Sequence, residues 1–157
     1  MGLLPAGIIA PNLELPDLAG EARELVPNAA EPVLLAFFKV NCPTCQLALP
    51  FLERSHQGSD GRLRVLAVSQ DSSDATSRFR KSFGITMPTL IDDDESGYEA
   101  SNAYGLTHVP SLFLIEPDGR VSWSGDGFAR ADFARIGERF GADPFLPGEY
   151  VPEWKAG

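Results

Sequence analysis

Val33-Leu34-Leu35-Ala36-Phe37-Phe38-Lys39-Val40-Asn41-Cys42-Pro43-Thr44-Cys45 is the stretch that decides the fold. Its first six residues form an unbroken apolar run, as a strand buried on both faces requires. Residues 43–57 then change period. Leu47, Phe51 and Arg54 fall on one side, with Leu49 and Leu52 close by, which is helical spacing. Cys42 therefore sits where a buried strand gives way to a helix. The offset puts Cys42 near the N-cap and Cys45 one turn further in, on the same face. Such a pair closes a small disulfide ring with little backbone movement. Unpaired N–H groups and the positive end of the helix dipole favour a thiolate at Cys42. Pro43 stands near the first helical position, where its missing N–H costs nothing. Cys45 is expected to be the more buried sulfur and the resolving thiol.

Outward from this stretch, strands and helices alternate. A weak hairpin is expected from 13–18 and 21–26, turning at Ala19-Gly20. A second buried strand covers 63–69. Asp71, Ser72, Ser73 and Asp74 are N-cap candidates for a helix through Ser82, closed by Gly84. A short strand follows at 89–91, then an acidic turn at 92–96 and a helical stretch to Tyr104-Gly105. A strand at 111–115, a turn at Glu116-Pro117-Asp118-Gly119 and a returning strand at 121–124 form a hairpin. The last helix covers 130–140, with Phe133, Ile136 and Phe140 on one face. The order predicts an α/β protein, its sheet parallel in the first half and antiparallel in the second.

The 157 residues suit a single domain, with 1–12 as an N-terminal extension and 142–157 as a Pro- and aromatic-rich strap. Pro144, Pro147 and Pro152 forbid a regular helix or central strand there, while Phe145, Tyr150 and Trp154 need somewhere to pack. A strap lying across its own domain is expected, with a docking segment for a partner as the alternative. The formal net charge of −9 argues against nucleic acid and against anionic lipid surfaces. The opening residues are apolar but short, broken by Pro5 and preceded by no Lys or Arg, so no signal peptide is read there. No run approaches the roughly 20 apolar residues of a membrane span. A cytoplasmic location is expected, with an extracytoplasmic one if an export signal has been trimmed away.

Only two cysteines occur, too few for a disulfide scaffold. Zinc is disfavoured, because His56 and His108 are the only histidines and neither has ligand spacing to the pair. A permanent disulfide across two intervening residues is strained, which suits a reactive bond better. C-x-x-C in a β-α-β context reads as a redox motif. Asp92-Asp93-Asp94-Glu95 lacks the spaced pattern of a calcium loop and reads as a solvated, helix-capping turn. His108, two residues before Pro110, reads as an exposed loop residue or, less simply, as a group tuning the thiolate.

Taken together, these features resemble the thioredoxin superfamily, and within it the TlpA/ResA-like thiol–disulfide oxidoreductases, with kinship to the AhpC/TSA group. The resemblance runs from about Ala10 to Phe140. It rests on Ala10-Pro11-Asn12-Leu13-Glu14-Leu15, on Phe37-Phe38, on Cys42-Pro43-Thr44-Cys45, on Pro50 and on Val109-Pro110-Ser111-Leu112-Phe113-Leu114-Ile115 with its following Glu116–Val121 hairpin. It implies a thioredoxin-like fold, a central mixed sheet flanked by helices with an N-terminal hairpin extension and a β-α insertion. It also implies a cis bond at Pro110, packed beside the two sulfurs, and a Val109 backbone offered to an extended substrate chain.

Three positions depart from the family pattern. Asn41 replaces a tryptophan before the first cysteine. Ala36 stands where thioredoxins proper carry a buried aspartate, and Ala48 where ResA-like proteins place a glutamate. The proton acceptor for Cys45 is then open among Lys39, water and a substrate group. A peroxidase is disfavoured, since Lys39 and Leu35 stand where peroxiredoxins need Thr/Ser and Pro.

The expected function is thiol–disulfide exchange with protein thiols and disulfides. Cys42 and Cys45 are catalytic, and Pro43, Thr44, Val109 and Pro110 shape the site. No cofactor is expected beyond the redox pair, a separate redox partner recycles it, and the chain is a monomer or weak dimer. The alternative is a non-catalytic binding module of the same fold.

Overall fold

The computed structural model describes residues 2–157. A five-stranded sheet has the order β5-β4-β3-β6-β7. Its centre is β3 (Val33–Phe38), in which every residue is buried. Helix α1 (Pro43–Gly58) connects β3 to the parallel β4 (Arg64–Ser69), and α2 (Ser73–Phe83) connects β4 to the parallel β5 (Thr89–Ile91). After α3 (Glu99–Ala103), β6 (Ser111–Ile115) pairs antiparallel on the other side of β3, with Leu35 opposite Phe113. β7 (Val121–Asp126) returns against β6. The turn between them is closed by Gly119 N–H donating to the Glu116 carbonyl at 2.8 Å, with Gly119 at φ 87°, a conformation that favours glycine. The parallel first half and antiparallel second half match the expected order, and β3, β5 and β6 have the expected bounds.

Alternation along the strands builds a core on each face of the sheet. Leu34, Ala36 and Phe38 join Leu49 and Leu52 of α1, Phe79 of α2, and Phe133 and Ile136 of α4 (Arg130–Phe140). Val33, Leu35 and Phe37 join Leu15 of β1 (Glu14–Pro16), Leu25 just after β2 (Ala22–Glu24), and Ala100 of α3. Phe37, Tyr104 and Phe113 form a ring cluster with centroids 4.8 to 5.8 Å apart. Each such buried side chain contributes about 1.5–3 kcal/mol relative to exposure. The Tyr104 hydroxyl is satisfied by the Pro11 carbonyl at 2.6 Å.

The N-terminal segment is tied to the β6–β7 hairpin. Gly7 N–H donates to the Val121 carbonyl, and Ile9 bridges Arg120. The acidic turn is only partly as expected. Asp92 is fully buried rather than solvated, and it accepts from the N–H groups of Ala100 and Ser101 and from the Ser101 hydroxyl. Its carboxylate replaces the missing partners of the first turn of α3.

The C-terminal segment crosses its own molecule. Phe145 packs edge-on against Phe51, with centroids 5.0 Å apart, and Val151 enters the core. Arg54 grips Glu149 through two hydrogen bonds of 2.7 and 2.9 Å. The prolines do not exclude one short edge pairing. β8 (Phe128–Ala129) and β9 (Trp154–Lys155) form a two-stranded ladder that the sequence reading did not anticipate.

Candidate active site

Cys42 is the N-cap of α1, with extended backbone at φ −93° and ψ 114°, and Pro43 opens the helix. Its sulfur accepts the N–H of Cys45 at 3.1 Å, doing for the helix what a serine or aspartate oxygen does elsewhere. Cys42 is half-buried, whereas Cys45, in the first turn of α1, is fully buried in the core. Both are free cysteines. The expected division into an accessible and a sheltered sulfur is thus present. Gln46 fastens the loop before Cys42 by donating its side-chain amide to the Val40 carbonyl at 2.9 Å.

Burial pushes the Cys45 thiol well above its ordinary value of 9.0. Its hydrogen-bonding contact with Cys42 adds to the rise, as do the negative charges of Cys42 and Asp71, while a backbone hydrogen bond from Lys39 opposes it. At neutral pH Cys45 is a protonated thiol. Ala36 and Ala48 are both fully buried in the same core cluster as Cys45, so these two positions offer it methyl groups and no acid. The charge of Asp71 acts on Cys45, a role beyond the helix cap that its place in the sequence suggests. Ser72 caps α2 instead. Asp71 reaches back to accept the Val40 N–H at 2.8 Å. Only the parallel pairing of β3 with β4, which places the two following loops side by side, reveals that role.

The Val109-Pro110 bond is cis, and Pro110 is buried. The Val109 carbonyl oxygen lies 3.4 Å from the Cys42 sulfur. His108 is exposed, with its ring 3.0 Å from the Thr107 hydroxyl and 3.9 Å from Asp126. His56 is at the end of α1 and does not line this site.

Thr44 is the unexpected member. Although it stands between the two cysteines, it is only 3% exposed. Its hydroxyl donates to the Ala156 carbonyl at 2.5 Å. Gly157 lies so close that a Cβ there would meet the Val109 carbonyl oxygen at 2.6 Å. The C-terminal segment thus reaches Thr44 and Val109 together. The aromatic residues of the tail signalled packing, but not this destination.

On the other side of Val109 a polar groove of about 320 Å³ is walled by Lys39, Gln70, Asn102 and His108. A larger groove of about 950 Å³ lies between the β1–β2 hairpin and β4, with neither cysteine nor Val109 in its wall. Among the described residues no helix is long and apolar enough to cross a membrane.

Comparison with known proteins places this geometry. The AhpC/TSA family profile matches residues 6–124. The chain is 32% identical over 118 residues to the thiol-disulfide oxidoreductase ResA of Bacillus subtilis, covering 73% of this chain and 64% of that protein. It is 31% identical over 121 residues to ResA of Halalkalibacterium halodurans, covering 76% of this chain and 67% of that protein. The matched region therefore spans about two thirds of the length of these relatives. Among solved structures, the thioredoxin domain of a thiol-disulfide oxidoreductase from Bacteroides vulgatus superposes with a TM-score of 0.75 at 19% identity, covering 87% of this chain and 98% of that one. A thiol-disulfide oxidoreductase from Bacteroides fragilis gives 0.73 at 20% identity, covering 84% and 99%. The fold is thioredoxin-like, and the chain belongs to the AhpC/TSA family.

Proposed function

We propose that this chain is a thiol–disulfide oxidoreductase that exchanges disulfides with protein substrates through Cys42 and Cys45. One observation carries the reading. A half-buried sulfur caps α1 and accepts the Cys45 N–H, with a second, fully buried sulfur one turn behind it. In the reducing direction the Cys42 thiolate attacks a substrate disulfide. The substrate S–S bond breaks, a mixed disulfide forms on Cys42, and one substrate thiolate leaves. Cys45 then gives up its proton and attacks the Cys42 sulfur. The Cys42–Cys45 disulfide forms and the second substrate thiolate leaves with a proton. Two electrons have passed from the pair to the substrate. The oxidising direction is the same sequence reversed.

The similarity to the ResA proteins supports this reading. No cofactor is required beyond the two thiols, and a separate reductant or oxidant recycles them. The compartment sets the direction. A reducing cytoplasm keeps the pair as a dithiol, and an oxidising one keeps it as a disulfide. Peroxide reduction is disfavoured because Leu35 is buried within β3 and offers nothing to a peroxide pocket.

The test is Cys45→Ala expressed in the cell of origin, with wild type assayed on insulin. Partners trapped as mixed disulfides on Cys42, together with insulin reduction by wild type, support exchange. Absence of both overturns it in favour of a non-catalytic binding module.

A further inference from the structure

Residues Trp154 to Gly157 lie on the surface that an extended substrate chain needs. Phe128 and Ala129 pair antiparallel with Lys155 and Trp154. Beyond this ladder the segment passes Gly127, where a Cβ would meet the Lys155 carbonyl oxygen at 2.7 Å. It then accepts the Thr44 hydroxyl hydrogen at Ala156 and ends its run against Val109. Ala156 and Gly157 bring almost no side chain, so the Ala156 carbonyl reaches the Thr44 hydroxyl and the Gly157 backbone comes close to that of Val109. An extended peptide engages a strand edge through such close backbone approach.

The segment is held lightly. Trp154 is 66% exposed, and the ladder is two residue pairs long. The firm anchors come earlier in the chain. Phe145 packs on Phe51 and Phe128, Val151 enters the core, and Arg130 donates to the Val151 carbonyl at 3.1 Å. Release of the last four residues leaves these contacts intact.

We infer that Trp154–Gly157 is a built-in occupant of the substrate groove and sets specificity. Small disulfides reach Cys42 with the segment in place, and a protein segment reaches it only by displacing those residues. The inference rests on the exchange reading of Cys42 and Cys45. The bound segment acts as an intramolecular competitor, so the apparent affinity for a protein substrate is the intrinsic one multiplied by the fraction of molecules in the open form.

The test compares the pre-reduced full chain with a variant lacking Trp154–Gly157, on insulin and on hydroxyethyl disulfide. Loss of the Cys42 and Cys45 thiols is followed by quenched alkylation. Insulin is expected to react about tenfold faster with the variant, while the small disulfide changes less than about twofold. A synthetic Glu-Trp-Lys-Ala-Gly peptide is expected to slow the insulin reaction of the variant again. Gly157→Ala, whose Cβ would meet the Val109 carbonyl oxygen at 2.6 Å and push the segment off, shifts the insulin rate the same way and guards against a deletion that fails to fold. Equal effects on both substrates, or no effect, overturn the inference and leave exchange standing. Failure of both substrates with both proteins overturns exchange, and this inference with it.

Discussion

The Asp71 carboxylate accepts the backbone N–H of Val40 at 2.8 Å, so the loop after β4 holds the loop that presents Cys42. The same carboxylate helps to keep Cys45 protonated. Asp71→Asn keeps an acceptor for Val40 and removes the charge. Cys45 is then expected to ionise at lower pH, by up to about one unit, in a Cys42→Ala background. The pH dependence of Cys45 alkylation checks this. Exchanging a charged acceptor for a neutral one is expected to cost about 1 kcal/mol in denaturant titration.

The raised Cys45 thiol makes the reduced protein sensitive to alkali. Its proton is held in the fold and lost more readily on unfolding, so the unfolded state binds fewer protons once the pH passes about 9. Stability contributed by the protonated thiol is complete below that pH. Above it, stability falls by up to about 1.4 kcal/mol per pH unit. Tyr104, raised by burial from 10.0, adds a second loss about one unit higher. Chemical denaturation at several alkaline pH values is expected to show the first loss in the reduced wild type, and not in Cys45→Ala or the oxidised protein.

Glu53 binds the loop before β5 to α1. Its carboxylate accepts from the Thr86 N–H, the Thr86 hydroxyl, the Met87 N–H and the Gln57 amide, at 2.5 to 2.9 Å. Burial opposes its ionisation, but these donors outweigh burial and hold its carboxyl below the ordinary value. Its contribution is present above about pH 4.5 and is lost as the pH falls through the lower folded value. Glu53→Ala strands the Thr86 and Met87 N–H groups and is expected to cost about 3 kcal/mol or more, read from urea midpoints. Glu53→Gln is expected to lose less and to flatten the acid limb.

Gly137 lies within α4, where alanine is ordinarily the better residue by about 1 kcal/mol. Here a Cβ would meet the Ala142 carbonyl oxygen at 2.7 Å and the Pro144 Cδ at 2.8 Å. Gly137→Ala is therefore expected to destabilise by about 1–3 kcal/mol, against helix propensity. A lowered thermal midpoint checks it.

The sheet was legible because its strands announce themselves. Val33–Phe38 and Ser111–Ile115 are apolar throughout and bounded by turn residues, and both were read at their observed limits. The cysteine pair was legible because the strand-to-helix change is local to a few residues. Pairings between distant segments were not legible. Trp154 and Lys155 carry no alternation that marks a strand, and only Phe128 and Ala129 give them a partner. Asp71 looked like one of four neighbouring helix caps, and Asp92 like one of three surface aspartates. Burial separates both from their neighbours in the sequence, and burial is a property of the assembled chain.

The alanines beside Cys45 have a consequence for time as well as for chemistry. With Ala36 and Ala48 in its core cluster, Cys45 has methyl groups at these positions and no carboxylate there to take its proton. In the proposed exchange the second step then waits on deprotonation of Cys45, and a partner joined to Cys42 would dwell there until it comes. On that proposal, acidity of the surroundings would lengthen the dwell and alkalinity would shorten it, so the medium would set how long a partner is held.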